Sequence, residues 1–261
     1  MNLDSVDLTI IAPAFIAGLL VLVTHVPLGA QVLKRGIVFI DLAIAQIAAL
    51  GVIVAGFADL EQGWMVQLAA GASAMSGALL LTWTERRWPE VQEAQIGVLF
   101  VLAATGSILL LAHNPHGGEH LRDLLAGQIL WVRYEQLLIP AFATALIFAV
   151  GFHQKWRGPY GFYLLFALAV TISVQLVGVY LVFASLIVPS LGARNFPVEK
   201  RLAVAFMIGV TGYGSGLLLS LIVDLPSGAL VVWCLALLAV IAYAAGPSGR
   251  PTEGCPSPTA E

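Results

Sequence analysis

The chain has 261 residues, 59% hydrophobic and only 10% charged, with a net charge of −3. A soluble domain carries about 25% charged residues, so this composition excludes a water-facing globular surface and fits a chain whose exterior meets lipid. The acidic balance offers no basic stripe for nucleic acid, and two cysteines, Cys234 and Cys255, form neither a CxxC pair nor a disulfide framework.

The chain begins with an acidic stretch holding Asp4 and Asp7, unlike the basic start of a secretory signal, so the first apolar run reads as a retained span. A spanning helix needs roughly 20 apolar residues. Runs of that kind lie at 8–33, 36–57, 64–84, 95–112, 136–152, 160–177, 178–192, 202–223 and 227–245. The sixth and seventh form one apolar stretch, and Gly178 supplies its break. The expected fold is all-α, a polytopic transmembrane helical bundle of eight or nine spans over residues 1–246, followed by a disordered cytoplasmic tail at 247–261 rich in Pro, Gly and Ser.

Loop charges test that division. Lys34/Arg35, Arg86/Arg87, Lys155/Arg157, Arg194/Lys200/Arg201 and Arg250 fall in alternate connections. Between them stand Asp59/Glu61, the segment 113–123, the turn near Gly178, and Asp224. Under the positive-inside rule this alternation places the N-terminus outside and the C-terminus in the cytoplasm, and it requires the break at Gly178. Trp64, Trp83, Trp88, Trp131 and Trp156 lie near predicted span ends, as an interfacial belt does. Glu85, Glu90 and Glu93 lie in or beside one connection, open to a partner protein or to solvent.

Ionisable groups within a membrane are costly, so they are functional candidates by default. Asp41 lies about 9 Å inward of Arg35 at 1.5 Å per residue, and His25 about 13 Å inward of Lys34. A carboxylate and an imidazole at similar depth suit passage of Zn²⁺, Mn²⁺ or Fe²⁺, with Gln46 deeper on the same span as Asp41. The competing structural readings are a His25 bond to a carbonyl freed by Pro27, a capping role for Asp41, and interhelical hydrogen bonding for Gln46. A second constellation is His113, His116, Glu119, His120 and Asp123, on the predicted external side. Pro115 and Gly117-Gly118 make it a turn on which several ligands could converge, although it matches no standard zinc spacing. A flexible polar loop explains it equally well. No phosphate-binding GxxxxGK[ST] and no HExxH occurs, so any ATP hydrolysis comes from another chain and a metal hydrolase is disfavoured.

Three stretches resemble the zinc/manganese/iron permease family of ABC importers. The first runs from Pro27-Leu28-Gly29 through Lys34-Arg35-Gly36 to Phe39-Ile40-Asp41 and Gly51. The second runs from Val177-Gly178-Val179 through Ile187-Val188-Pro189 to Ala193-Arg194. The third runs from Gly214-Ser215-Gly216 to Asp224-Leu225-Pro226-Ser227-Gly228, and Leu124 to Gln128 resembles a central segment. The match is collinear over about positions 12–245. The resemblance implies a type II importer permease in a bacterial inner membrane that binds no permanent cofactor and passes zinc, manganese or iron. Its implied partners are a second copy of the chain, an ATPase subunit and a periplasmic or lipid-anchored metal-binding protein. Two departures stand out. The family pairs Asp with a His one turn on, where this chain has Gln46 five residues after Asp41, and His25 could supply the missing imidazole. The family's ATPase-docking connection is reduced here to His153–Tyr160, which leaves open an accessory metal-binding subunit without ATPase coupling.

Overall fold

The computed structural model describes residues 8–57, 63–111, 129–151, 159–223 and 225–246. Among them are nine α-helices and no strand. In chain order these are α1 (Leu8–Arg35), α2 (Ile40–Phe57), α3 (Gly63–Arg87), α4 (Gln92–Leu111), α5 (Tyr134–Gly151), α6 (Pro159–Val177), α7 (Val179–Gly192), α8 (Val198–Val223) and α9 (Ser227–Ala245). Single 3-10 turns, Pro89–Val91 and Ile129–Trp131, precede α4 and α5. The segment 113–123, the connection 152–158 and the tail from 247 lie outside the described residues.

Two glycines with positive φ set the sharpest turns. Gly36, at φ 70°, ends α1, and the Ile37 N–H then donates back to the Val32 carbonyl at 3.4 Å. That is the Schellman closure, which requires a left-handed residue just past the helix. Gly178 has φ 82° and ψ 162°. Its N–H still completes α6 on Val174, at 2.8 Å, while its carbonyl already accepts from Val182 of α7, at 3.1 Å. The break expected at Gly178 is therefore present, made within one residue.

Among the described residues seven helices are long and apolar enough to cross a membrane; the stretches Tyr134–Val150 and Val179–Gly192 fall short. The expected eight or nine full spans thus become seven of spanning length and two shorter helices. The reason is clearest in α7. Its 14 residues rise about 21 Å against a hydrocarbon core of about 30 Å. Its apolarity serves burial instead, since Leu181 and Leu186 are completely enclosed.

The helices sort into two packing groups. One comprises α2, α3, α4 and α6, with α5 against α6; the other comprises α7, α8 and α9 around α1. Contacts of α1 with α5 and α6, and of α7 with α2 and α6, join them. Glycines allow the closest approaches. A Cβ on Gly216 would lie 2.5 Å from Val231, and one on Gly212 2.5 Å from Leu235, which holds α8 and α9 backbone to backbone. At Gly29 a Cβ would run into the Leu186 carbonyl oxygen, so α1 crosses α7 with no side chain between them.

Helix pairing also fixes which ends lie together. Gly18 faces Tyr213 and Gly209 faces Leu22, so α1 and α8 are antiparallel. The end of α1 therefore shares a side with the start of α8. Asn195, in the α7–α8 turn, donates to the Tyr243 carbonyl near the end of α9, at 2.9 Å. The basic positions Arg35 and Arg194 thus gather at one end of the bundle, as their alternation in sequence requires.

Gly29→Ala should lower the thermal midpoint of the detergent-solubilised protein, at a cost of about 1–3 kcal/mol for overpacking. Gly71→Ala, where an added Cβ meets nothing within 4 Å, should leave the midpoint unchanged or raise it slightly.

Candidate metal path

Asp41 stands in the first turn of α2 and is 1% exposed. The N–H groups of Asp41 and Leu42 act on its carboxylate electrostatically, yet neither oxygen completes a hydrogen bond among the described residues. The positive end of the helix macrodipole favours a carboxylate there by about 0.3–1 kcal/mol. That offsets only part of the cost of burying it unpaired. A buried carboxyl group of this kind is met either by a proton or by a cation.

The neighbours of α2 fix where Asp41 faces. Ile44, Ile47 and Gly51 lie against Gly77 and Ser73 of α3. Leu50 reaches Gly106 of α4, and Phe39 and Leu42 line a groove beside Ala94 and Gly97 at the start of α4. Asp41, Ala45 and Ala48 form a separate stripe at helical spacing, on the side that remains for α6 and α7. The carboxylate therefore points into the bundle. Because α2 is a regular helix from Ile40 to Phe57, the position one turn beyond Asp41 is Ala45. Gln46 falls between Leu42 and Leu50, on the α4 side, and is 4% exposed with no side-chain hydrogen bond among the described residues.

His25 is fully buried in α1. Its Nδ1 lies 3.0 Å from the Val21 carbonyl and 2.9 Å from Thr24 Oγ1. The carbonyl is the one four residues back in its own helix, not the Val23 carbonyl that Pro27 leaves without a partner. Nε2 is buried with no partner among the described residues. His25 and Asp41 are not hydrogen-bonded, and α1 packs chiefly on α5, α6, α7 and α8 instead of on α2. Next to Thr24, the neighbour of His25, a small cavity of about 10 Å³ lies between α1, α5 and α6, lined in part by Thr24, Thr144 and Ser173. It shares Pro140, Ile172 and Leu176 with an open cleft of about 770 Å³ at the start of α3, where Trp64, Gln67 and Trp131 stand.

At the basic end, five helix termini are cross-tied. Arg35 of α1 lies 3.6 Å from Glu85 of α3, with its guanidinium 4.2 Å from the Phe162 ring centre of α6. Arg86 stacks 3.8 Å from the ring centre of Tyr160. The exposed ion pair contributes at most about 1 kcal/mol. The buried hub matters more. Gln92 Nε2 donates to the Leu81 carbonyl at 3.0 Å and to Tyr163 Oη at 3.2 Å, and its Oε1 accepts from Thr84 at 3.1 Å. Glu93 Oε1 accepts from the Phe39 N–H at the opening of α2, at 3.3 Å. Glu85 and Glu93 are thus engaged with neighbouring helices, whereas Glu90 is exposed.

A family model for the ABC 3 transport family matches residues 7–158 and 157–246. The chain belongs to the ABC 3 transport family. It is a multi-pass membrane subunit of a transporter and not itself catalytic, in keeping with its lack of a phosphate-binding loop. The manganese transport system membrane protein MntC of Halalkalibacterium halodurans is 27% identical over 255 residues, covering 88% of this chain and 85% of that protein. A probable iron transport system membrane protein of Haemophilus influenzae is 28% identical over 176 residues, covering 59% of this chain and 64% of that protein. In a solved structure, PsaBC from Streptococcus pneumoniae in complex with Fab, one chain shares this fold with a TM-score of 0.73 at 19% identity, each chain covered to 94%.

For this ABC 3 permease, sequence reasoning placed Asp41, His25 and Gln46 inside the membrane, and all three are buried. It missed the hub, because a glutamine one residue from a loop carries no signal of its three partners. Among the described residues no group of three or more His, Cys, Asp or Glu side chains is placed to hold a metal ion. His113, His116, Glu119, His120 and Asp123 lie outside the described residues. Gln92→Leu should strand Tyr163 Oη, at about 1–3 kcal/mol for the group left unpaired, while the Leu81 carbonyl keeps its bond from Thr84. The thermal midpoint of this variant should fall further than that of Tyr163→Phe, in which Gln92 keeps its other two partners.

Proposed function

We propose that the chain is the membrane-spanning permease of an importer that moves a divalent transition metal, zinc, manganese or iron, past Asp41. The observation that carries this reading is the Asp41 carboxylate, enclosed at the mouth of α2 with both oxygens lacking a hydrogen-bond partner among the described residues. Membership of the ABC 3 family supports transport. The names of its manganese and iron transport relatives support a metal as cargo.

A transported ion has to leave as readily as it arrives. A site of one or two protein ligands completed by water binds weakly enough for that. Asp41 is the primary ligand in this reading, His25 Nε2 offers an imidazole nearer the polar cavity, and Gln46 is a neutral oxygen on the α4 side. The segment with His113, His116, Glu119, His120 and Asp123 receives metal at the external mouth from a periplasmic or lipid-anchored binding protein. The N-terminus lies outside and the C-terminus in the cytoplasm, in a bacterial inner membrane. The permease works as a homodimer on two copies of a separate ATPase. A second reading, an accessory metal-binding subunit without ATPase coupling, is favoured by one feature, the short connection His153–Tyr160. Co-purification of the chain with an ATPase encoded beside it decides between the two.

Asp41→Asn should abolish uptake of radiolabelled Mn²⁺ and Zn²⁺ while membrane abundance stays at the wild-type level; wild-type uptake by that variant removes Asp41 from the path. Joint replacement of His113, His116 and His120 by Ala should weaken uptake mainly at low external metal. An equal loss at every concentration assigns those histidines to folding instead.

A further inference from the structure

Asp41 can meet a cation only if the first turn of α2 is held in place, and that turn leaves the Phe39 N–H to a partner from outside, although the Ile37 carbonyl accepts from Ile40. The first four N–H groups of a helix have no partner inside it. The residue before α2 is Phe39, whose side chain accepts nothing and is 49% exposed. In the local solution, the capping box, a Glu or Gln at the third helical position reaches back to the N–H of the capping residue. The third helical position here is Leu42. What the turn lacks locally comes from another helix, because Glu93 of α4 accepts the Phe39 N–H through Oε1, at 3.3 Å.

Glu93 is well placed to keep that bond. It directly follows Gln92, which is tied to α3 through Leu81 and Thr84 and to α6 through Tyr163. The first turn of α4 is therefore fixed to two other helices before it reaches α2. The remaining oxygen of Glu93 is buried without a partner among the described residues, while the bond to Phe39 itself lies at the surface of the bundle. We propose that Glu93 is a positioning residue for metal passage: it caps α2 across the helix–helix gap and thereby sets the place of Asp41. This rests on the reading of Asp41 as a metal ligand. Glu93 touches no metal in it and acts through the backbone of Phe39.

The test is uptake of radiolabelled Mn²⁺ against concentration, in cells carrying the complete transporter, with variants at residues 93 and 42. Supporting partners of a metal ligand typically change metal affinity by about 10–100-fold when removed. Glu93→Ala should therefore raise the apparent KM about tenfold while the maximal rate, per permease in the membrane, stays within about twofold. Glu93→Gln, which keeps an acceptor oxygen, should stay close to wild type. Leu42→Gln added to Glu93→Ala rebuilds the capping box within α2 and should bring KM back. An unchanged KM in Glu93→Ala overturns the proposal. So does a loss confined to abundance or maximal rate, and so does a Leu42→Gln/Glu93→Ala protein that keeps the raised KM. Should Glu93→Ala fail to reach the membrane, recovery of abundance and KM together in the double variant supports the proposal, and recovery of abundance alone overturns it. Asp41→Asn, measured in parallel, keeps the two ideas apart. Wild-type uptake there ends the metal-ligand reading itself. Lost uptake there with an unaffected Glu93→Ala ends only the role of Glu93.

Discussion

Lipid supplies no hydrogen bonds, so a chain inside it must satisfy its polar groups from its own atoms. Most of this bundle obeys closely. Thr82, Ser107 and Ser185 return their hydroxyls to carbonyls four residues back, and Gln92 serves three partners on two other helices from one buried amide. Against that regularity the exceptions stand out. The carboxylate of Asp41 and Nε2 of His25 are enclosed without partners among the described residues. Thr171 Oγ1, Gln95 Oε1 and one oxygen each of Glu85 and Glu93 are unpaired as well, so what sets Asp41 apart is that both oxygens of one enclosed carboxyl group lack a partner among the described residues.

The ties between the helices are graded by depth. At the basic end the ties are long side chains with water nearby: Arg35 on Glu85 and Phe162, Arg86 on Tyr160. A turn further in they become neutral and buried, through Gln92 and Tyr163. Deeper still the helices meet through small residues, with Gly51 beside Ser73, Gly77 under Ile47, and Gly29 on the backbone of α7. The order follows the falling availability of solvent. Charge pairs are affordable where water screens them, amides where partners are complete, and bare backbone contact where neither is present.

Much of the architecture was legible in the sequence because lipid imposes a length on apolar runs and a sign on the loops between them. Gly178 was readable as a break from loop charges alone, and the resemblance carried by Pro27-Leu28-Gly29, Gly178 and Gly214-Ser215-Gly216 led to the correct family. The count of full spans was not legible. Hydropathy cannot separate an apolar helix facing lipid from one enclosed by its neighbours, and α7 is the second kind. Of the site, Asp41 and His25 announced themselves as charge-bearing residues inside apolar runs. Their surroundings did not, because whether α1 packs on α2 is a property of tertiary contacts. Glu85 and Glu93 were readable only as loop acids. Their inward engagement depends on where α1 and α2 end in space.

The shortness of α7 bears on how the protein is made. At about 21 Å the helix is too short to rest across lipid alone, so it cannot settle as an independent insertion unit. It leaves the ribosome bound to α6 through one residue and finds part of its shelter in α1, which is already in place. Further shelter comes from α8 and from α9, where Gly192 lies against Ala239, and α9 follows α7 in the chain. Until α9 arrives, the face of α7 that it will cover stays open. The second helix group is therefore complete only once α9 has joined it, and loss of α9 would uncover a helix some forty residues upstream.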